Sequence, residues 1–366
     1  MTVDECEMKK EEIEEYLEKQ AEKIDQTIEK YIPRKFDKNS AVFALNPPKY
    51  EYNLDALNKA LAEPVWEFLD RGGKRWRPAL FLLVCEALGK NPEEFIEFAI
   101  IPEVIHNGTI IVDDVEDNSE LRRGKPCSHR IYGVDVAVNA GNAMYFLPFL
   151  TLIKNKAKLP PEKINKIYDI YIKEMINLSL GQAMDIAWHK NLADAEIITE
   201  NQYLQMCAYK TGTLARMAAK IAAVLADADD DLTDKLGEFA EAIGVAFQIR
   251  DDILDLTSEE FAEKKGGKGQ DITEGKRTLM VIHALSKATP SDRKRLLDIL
   301  HMHTSDQKLR DEAIALMEKY GSIEYAKQFA QNIVKQSWNE IDKLLPSSNA
   351  KERLKAFVAY LVERKI

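Results

Sequence analysis

Apolar residues recur at helical spacing along most of the chain. From Leu54 onwards they form stretches with a period of three to four residues, and short polar segments such as 154–162 and 346–350 separate them. The sequence has neither the apolar-polar alternation of strands nor an internal repeat. The pattern therefore predicts an all-α fold for the body of the protein, over residues 53–366.

The N-terminal segment has a different pattern. Residues 4–31 mix Glu and Lys with apolar residues near helical spacing, which predicts an amphipathic helix. Residues 35–52 contain Asn-Pro-Pro and little periodicity, as connectors do. The sequence thus predicts an N-terminal helix and connector over 1–52, followed by one helical domain over 53–366.

Composition narrows the class of protein. The 366 residues are 45% hydrophobic and 31% charged with only 16 Gly and 13 Pro, which is typical of a globular protein rich in long helices. A net charge of -10 argues against a nucleic-acid partner, because such binders usually carry a basic face. Four cysteines without CxxC spacing indicate reduced thiols rather than a zinc site. We expect a cytoplasmic protein without a membrane span, while peripheral contact with a membrane surface stays open.

Clustered carboxylates interrupt one apolar helical stretch, at 103–117. His106, Asp113 and Asp117 differ by 7 and 4 positions, so they share one helix face. Asp114 lies beside them. A single DDxxD motif of this kind is usually a solvated helix end, and it indicates function only in combination with other features.

A second cluster interrupts the stretch 232–256. Gln248, Asp251, Asp252 and Asp255 stand at i, i+3, i+4 and i+7, again on one face of an apolar helix. Burying two such acidic faces as bare charges is unfavourable, and a polyvalent cation removes the problem. Oxygen-only ligands suit Mg²⁺, which commonly links carboxylates to substrate phosphates. The pair of motifs therefore predicts a metal-held polyphosphate between two acidic walls.

Basic residues near glycines supply a second kind of anion site. Lys74 and Arg77 lie in GGKRWRP, and Arg122 and Arg123 follow the first acidic motif in LRRGKP. Paired arginines suit bidentate contacts with phosphate oxygens, although each cluster alone is more often an ordinary surface patch. One diphosphate would then bind through metal and another through Lys and Arg.

Six motifs in order resemble the trans-isoprenyl diphosphate synthases, and among them geranylgeranyl diphosphate synthases most closely. The resemblance implies an all-α, single-domain bundle of antiparallel helices around a deep central cavity, normally a homodimer, with three Mg²⁺ ions in each active site. The motifs are GGKRWRP (72–78), HNGTIIVDDVEDNSELRRG (106–124), GQAMD (181–185), KTG (210–212), FQIRDDILD (247–255) and DITEGK (271–276).

The resemblance also implies roles for individual residues. Asp113 and Asp117 would ligate two ions, and Asp251 would ligate the third. Three further aspartates would support these ligands: Asp114, Asp252 and Asp255. Of these, Asp255 is also a candidate ligand. Residues that would bind isopentenyl diphosphate are Lys74, Arg77, His106 and Arg123. Residues that would contact the allylic diphosphate (dimethylallyl, geranyl or farnesyl) are Arg122, Lys210, Thr211, Gln248 and Lys276. A further loop lysine of the family falls near Lys268, with Lys265 as the alternative.

Product length in this family depends on the cavity below the first acidic motif. The positions four and five residues upstream are Thr109 and Gly108, which are small and argue against a farnesyl-length stop. Tyr145 and Phe146 resemble a deeper floor that a histidine usually completes, and Ser179 stands in its place. These residues predict a C20 or somewhat longer (C25) product.

Three other classes of helical protein share some of these features. A class I terpene cyclase normally lacks a second full DDxxD and a cationic isopentenyl diphosphate site, so Lys74, Arg77 and Arg123 count against it. A non-catalytic partner subunit of a heteromeric synthase usually loses its Asp motifs, and both are intact here. A di-iron bundle requires two Glu-x-x-His pairs, whereas only Glu103 and His106 form one.

Overall fold

The computed structural model describes residues 3–40, 48–194, 197–260, 262 and 267–363 of the chain. The described residues are helical apart from turns, connectors and one two-stranded ribbon, which confirms the predicted all-α class. The helices before the ribbon are α1 (Val3–Tyr31), α2 (Leu54–Leu57), a π-helical turn (Asn58–Ala62), α3 (Glu63–Leu69), α4 (Trp76–Ala87), a 3-10 turn (Pro92–Glu94) and α5 (Ile96–Glu116).

The ribbon follows the first acidic motif directly. Strands β1 (Leu121–Arg122) and β2 (Lys125–Pro126) pair antiparallel around a two-residue turn. Arg123 and Gly124, the turn residues, both have positive φ, at 53° and 74°. Two left-handed residues in succession favour the right-handed twist of a tight hairpin. The hairpin thereby holds the two neighbouring arginines at the end of α5.

The remaining elements complete the bundle. They are α6 (Ser128–Tyr132), α7 (Val134–Phe146), a 3-10 turn (Leu147–Phe149), α8 (Leu150–Asn155), a 3-10 turn (Lys156–Lys158), α9 (Pro161–His189), α10 (Glu200–Cys207), a π-helical turn (Ala208–Gly212), α11 (Thr213–Leu225), α12 (Asp230–Thr257), α13 (Gln270–Thr273), α14 (Leu279–Lys287), α15 (Pro290–His301), α16 (Gln307–Lys319), α17 (Ser322–Ile341) and α18 (Asn349–Glu363).

Helix α11 lies at the centre of the core. It is rich in Ala, and eleven of its thirteen residues are buried; Arg216 and Lys220 are the two exceptions. It packs against α4, α5, α9 and α12. Two of these neighbours, α5 and α12, carry the acidic motifs, so the core fixes the positions of both motif helices. Pro102 lies inside α5 rather than at its start.

The N-terminal helix α1 packs on this bundle. Its residues Ile13, Leu17, Ile24 and Ile28 are buried and belong to the same hydrophobic cluster as the core of the body. The helix contacts α4, α5 and α18. A helix can pack on a domain without being needed for that domain to fold, so the division of the chain after residue 52 stays a prediction.

One stretch of the described chain, Val134–Lys158, is long and apolar enough to cross a membrane by composition alone. Half of the most apolar part of this stretch is buried inside the protein. It also contains two helices interrupted by a 3-10 turn at Leu147–Phe149. Buried core helices of globular proteins have the same composition, and the packing of α7 against α5 agrees with that role.

Candidate active site

The first acidic motif directs two of its aspartates toward neighbouring cations and amides. Asp113 Oδ1 accepts hydrogen bonds from Gln182 Nε2 (2.8 Å) and Lys210 Nζ (3.0 Å). Asp117 caps the C-terminus of α5, and its Oδ2 lies 3.3 Å from Lys276 Nζ. Burial raises the pKa of Asp113, but Lys210 and Lys276 outweigh burial and hold that pKa well below its usual value. Asp113 is therefore ionised at neutral pH.

Asp114 faces away from that group of side chains. It is fully buried, and its Oδ1 accepts hydrogen bonds from two nitrogens of Arg122, at 2.8 Å from Nε and 2.6 Å from Nη2. Burial raises the pKa of Asp114, and Arg122 opposes the shift. Asp114 thus anchors the first strand of the hairpin.

The second acidic motif divides its aspartates in a similar way. Asp251 is partly exposed on α12. Asp252 is buried, and it accepts hydrogen bonds from the Tyr203 hydroxyl (2.8 Å) and from Gln248 Nε2 (2.7 Å). Asp255 is also buried, and its Oδ2 accepts a hydrogen bond from the backbone N–H of Asp271 (3.1 Å). Asp252 and Asp255 therefore hold neighbouring elements in place.

Lys210 lies in a π-helical turn clamped between α9 and α12. A methyl group on Gly181 of α9 would lie 2.3 Å from the backbone N of Lys210, and one on Gly244 of α12 would lie 2.6 Å from Gly212 Cα. Only glycine permits such close backbone approach. Lys210 Nζ then reaches both Asp113 and, at 2.5 Å, Asp185. Single-turn π insertions in α-helices are frequent at functional sites.

Lys276 links the first motif to the segment that follows the second. It contacts Asp117, forms an ion pair with Glu274, and lies 3.9 Å from Asp271 Oδ1. Lys268 is partly buried just before α13, and its carbonyl accepts a hydrogen bond from Gln307 (3.4 Å). Lys265 lies outside the described residues.

The predicted isopentenyl diphosphate residues come together at the N-terminus of α4. Burial lowers the pKa of His106 well below 6.5, and the nearby charges of Arg77 and Arg123 lower it further. Arg123 donates a hydrogen bond to the carbonyl of Gly72, and its Nη2 lies 3.3 Å from the position of a Cβ on Gly73. Lys74 follows in the same loop. The group is a neutral imidazole among closely spaced cations.

Arg123 has an environment that favours a bound anion. Burial lowers its pKa to about 10; Glu103 opposes that shift, whereas Arg75 and Arg122 add to it. Arg75 is itself neutralised by Glu103 (2.9 Å) and Asp25 (2.9 Å). An anion bound beside Arg123 would offset the energetic cost of burying its charge and would weaken its repulsion from Arg75 and Arg122.

The five predicted chain-length residues have different surroundings. Gly108 faces α7, and a Cβ there would lie 2.6 Å from the carbonyl oxygen of Gly141, so this position serves close helix packing. Thr109 is partly exposed one turn before Asp113. Tyr145 is partly buried, with Asp113 and Glu116 among the charges near its hydroxyl. Phe146 is 65% exposed, and Ser179 is exposed on α9. The cavity role of these residues stays a prediction.

The carboxylates fit a hard divalent cation. Asp117 Oδ1 is buried, has no hydrogen-bond partner among the described residues, and lies 3.6 Å from His189 Nε2. Within those residues no three His, Cys, Asp or Glu side chains converge to form a complete metal cage. Mg²⁺ usually takes one or two carboxylates and completes its shell with water and substrate phosphates. Asp113 and Asp117 of the first motif match that requirement, and Asp251 of α12 stays a predicted further ligand.

The sequence did not predict a role for several residues that lie at this site. Gln182 and Asp185 lie in the GQAMD motif, whose i, i+3 spacing indicated a polar helix face but not its partners. His189 follows Asp185 by four positions, and Tyr203 precedes Lys210 by seven, so helical spacing was their only signal. Their partners lie on other helices, which no local pattern identifies.

Comparison with known proteins adds independent information. A family model described as Polyprenyl synthetase matches residues 58–317. A short chain isoprenyl diphosphate synthase of Methanothermobacter thermautotrophicus is 35% identical over 310 residues, which are 85% of this chain and 92% of that protein. A geranylgeranyl diphosphate synthase of Methanosarcina mazei is 33% identical over 296 residues, covering 81% of this chain and 87% of that protein. The crystal structure of geranylgeranyl pyrophosphate synthetase from Pyrococcus horikoshii superposes with a TM-score of 0.81 at 32% identity, covering 97% and 99% of the two chains.

Proposed function

Because the chain belongs to the polyprenyl synthetase family and is therefore a trans-prenyltransferase, we propose that it joins isopentenyl diphosphate to an allylic diphosphate in a Mg²⁺-dependent reaction. One observation carries the proposal: two separate chains of contacts join the acidic motifs. Lys210 bonds Asp113 while its neighbour Thr211 bonds Gln248 on α12. Lys276 contacts Asp117 while Asp271 bonds Asp255. A diphosphate bound between the motifs would therefore lie among carboxylates and lysines.

The chain's own residues would divide the work between two diphosphates. Lys210, Lys276 and Arg122 would neutralise the diphosphate that leaves the allylic substrate, and Lys74, Arg77, His106 and Arg123 would hold that of isopentenyl diphosphate. When bound, Mg²⁺ held by Asp113, Asp117, Asp251 and Asp255 would supply further charge neutralisation.

The condensation then needs little from protein bases. The allylic C–O bond breaks, the double bond of isopentenyl diphosphate forms the new C–C bond, and a proton leaves the resulting cation. The departed diphosphate would accept that proton. Oxygen atoms of Thr211 and Gln248 would stabilise the allylic cation, because both side chains present lone pairs beside the lysine that holds the first motif.

An assay with radiolabelled isopentenyl diphosphate tests this function. Wild-type protein with Mg²⁺ and dimethylallyl, geranyl or farnesyl diphosphate should form longer prenyl diphosphates, and a chelator should abolish the product. Asp113→Asn and Asp251→Asn should each lower kcat at least about 100-fold, because each leaves a diphosphate less neutralised. Asp55→Asn, on the exposed surface of α2, is the matched control. Full turnover in both site variants, or cyclic hydrocarbon products, would contradict the proposal.

We further propose a C20 product or the slightly longer C25 product. Thr109 lies one turn below Asp113 and is small, so a long chain can pass it. Thr109→Phe should shorten the product by at least one isoprene unit, as chromatography of the dephosphorylated products would reveal. Gly108→Phe is a poorer test, since its side chain would meet the backbone of α7. An unchanged product from a folded Thr109→Phe variant would exclude Thr109 from the cavity.

The same family membership supports a cytoplasmic homodimer as the working state. Helix α9 carries an exposed apolar stripe of Tyr168, Ile172, Ile176 and Leu180, which are 38%, 54%, 55% and 51% exposed. Contiguous apolar surface of this kind commonly marks a protein interface. A second copy of the chain is the partner we propose for it.

A further inference from the structure

Four side chains connect α10 to the π-helical turn through α12. The Tyr203 hydroxyl donates to Asp252 Oδ2 (2.8 Å), and Gln248 Nε2 donates to Asp252 Oδ1 (2.7 Å). The Thr211 hydroxyl donates to Gln248 Oε1 (2.9 Å). Tyr203 is 1% exposed and Asp252 is 5% exposed, so water does not replace these bonds readily. The four residues form one hydrogen-bonded relay.

The direction of each bond in the relay follows from its chemistry. An ionised carboxylate only accepts, so the Gln248 amide must turn its NH₂ group toward Asp252 and its oxygen toward Thr211. The Thr211 hydroxyl then donates its one proton to that oxygen. Burial and the Asp252 charge raise the pKa of Tyr203 well above 10, so its hydroxyl remains a donor. Tyr203 and Asp252 together fix the orientation of the Gln248 amide and, through it, that of the Thr211 hydroxyl proton.

We propose that Tyr203 is a positioning residue for chain elongation, acting through Asp252 to keep the oxygen atoms of Gln248 and Thr211, rather than N–H or O–H groups, directed toward the allylic carbon that becomes positive. The proposal rests on the proposed function. It also gives Asp252 a role in this relay, because each of its oxygen atoms accepts a hydrogen bond from another relay residue.

Tyr203→Phe tests the proposal by removing one hydroxyl while keeping the ring. The single-turnover rate should fall about 10-fold, because the carboxylate that fixes the Gln248 amide loses one of its two restraints. The KM for isopentenyl diphosphate should change less than about twofold, since other residues are proposed to hold that diphosphate. The Mg²⁺ concentration for half activity should change as little, since the Tyr203 hydroxyl bonds Asp252 rather than a proposed metal ligand. Tyr325→Phe is the matched control: its hydroxyl also bonds a carboxylate of α10, that of Glu200 at 2.7 Å, outside the relay. A rate equal to that of the control would overturn the proposal.

A second pair of variants tests the bond direction even if Tyr203→Phe folds poorly. Asp252→Asn keeps one acceptor for two donors, and with that oxygen on the Tyr203 hydroxyl its NH₂ group faces position 248. The Gln248 amide should then flip and present N–H to the reaction centre, and the rate should fall more than about 30-fold. Adding Gln248→Glu restores an acceptor both for the new amide at position 252 and for Thr211, and should recover at least about 5-fold of that loss.

The outcomes distinguish a failure of the relay from a failure of the proposed prenyl transfer. No rescue by the double variant, with all proteins showing wild-type thermal unfolding, would overturn the relay. If the wild-type protein itself failed to elongate any allylic diphosphate, the proposed function would fall, and with it the relay. Elongation by the wild type together with equal rates in all relay variants would overturn the relay alone.

Discussion

Neighbouring aspartates in the first acidic motif face different surroundings, and helix geometry explains why. Asp113 and Asp117 are four residues apart and point to one side of α5, toward Lys210 and Lys276. Asp114 is rotated by about 100° from Asp113, and it meets Arg122 in the protein interior instead. The shared face of Asp113 and Asp117 could be read from spacing alone. The partner of Asp114 could not, because it depends on how the following hairpin folds back.

His106 gives a prediction at the residue scale, in the pH dependence of stability. Its folded-state pKa lies well below 6.5, first because of burial and then because of Arg77 and Arg123. Above pH 6.5 the histidine is neutral in both states and contributes nothing. As the pH falls below 6.5, the unfolded chain gains a proton that the folded chain refuses, so the free energy of unfolding decreases.

The test compares wild type with His106→Gln by urea denaturation at pH 7.5 and pH 5.5. Wild type should lose about 1 kcal/mol more than the variant between these two conditions. Burial also lowers the pKa of three other histidines: His129, His189 and His283. These three change the stability of both proteins equally. Equal losses would show that His106 is protonated in the folded protein at pH 5.5.

At the scale of elements, the site depends on backbone contacts that no periodicity reveals. The helical spacing of apolar residues predicted the motif helices α5 and α12, because burying one face dictates where apolar residues stand. The π-helical turn at Ala208–Gly212 and the hairpin of β1 and β2 were not predicted. A π insertion changes one hydrogen-bond register without changing residue types, and two-residue strands are too short for an alternating pattern.

Gly181→Ala tests the clamp around the π-helical turn. The new methyl group would lie 2.3 Å from Lys210 N and 2.7 Å from Tyr209 C, which are backbone atoms and cannot rotate away. We expect α9 to shift from the turn, with a loss of about 1–3 kcal/mol in stability. Displacing Lys210 from Asp113 should lower kcat at least about 10-fold.

Gly237→Ala is the matched control for this substitution. It lies on α12, and the atoms nearest to its new methyl group would belong to the flexible side chain of Lys220, with Cε at 2.9 Å. The control should keep its activity and gain up to about 1 kcal/mol from helix propensity. If both variants behaved alike in thermal unfolding and turnover, the clamp would have no special role.

At the scale of the whole molecule, buried charge ties the N-terminal helix to the site. Arg75 has the left-handed conformation, φ 46°, at the N-cap of α4, and it is held by Glu103 of α5 and Asp25 of α1. The sequence indicated an amphipathic helix over 4–31 but not this bridge. Asp25 and Glu103 are 50 and 28 residues from Arg75 along the chain, and local sequence patterns carry no information over such separations.

The exposed stripe on α9 carries the last prediction, which concerns assembly. In a two-fold symmetric dimer the same patch meets itself, so a charge placed there is buried opposite its own copy. Ile176→Arg should therefore convert a dimer of two 41.7 kDa chains into a monomer, as light scattering after gel filtration would measure. Gln336→Arg, at an exposed position of α17, should leave the dimer intact. A wild-type monomer at micromolar concentration, or a dimeric Ile176→Arg variant, would contradict the interface.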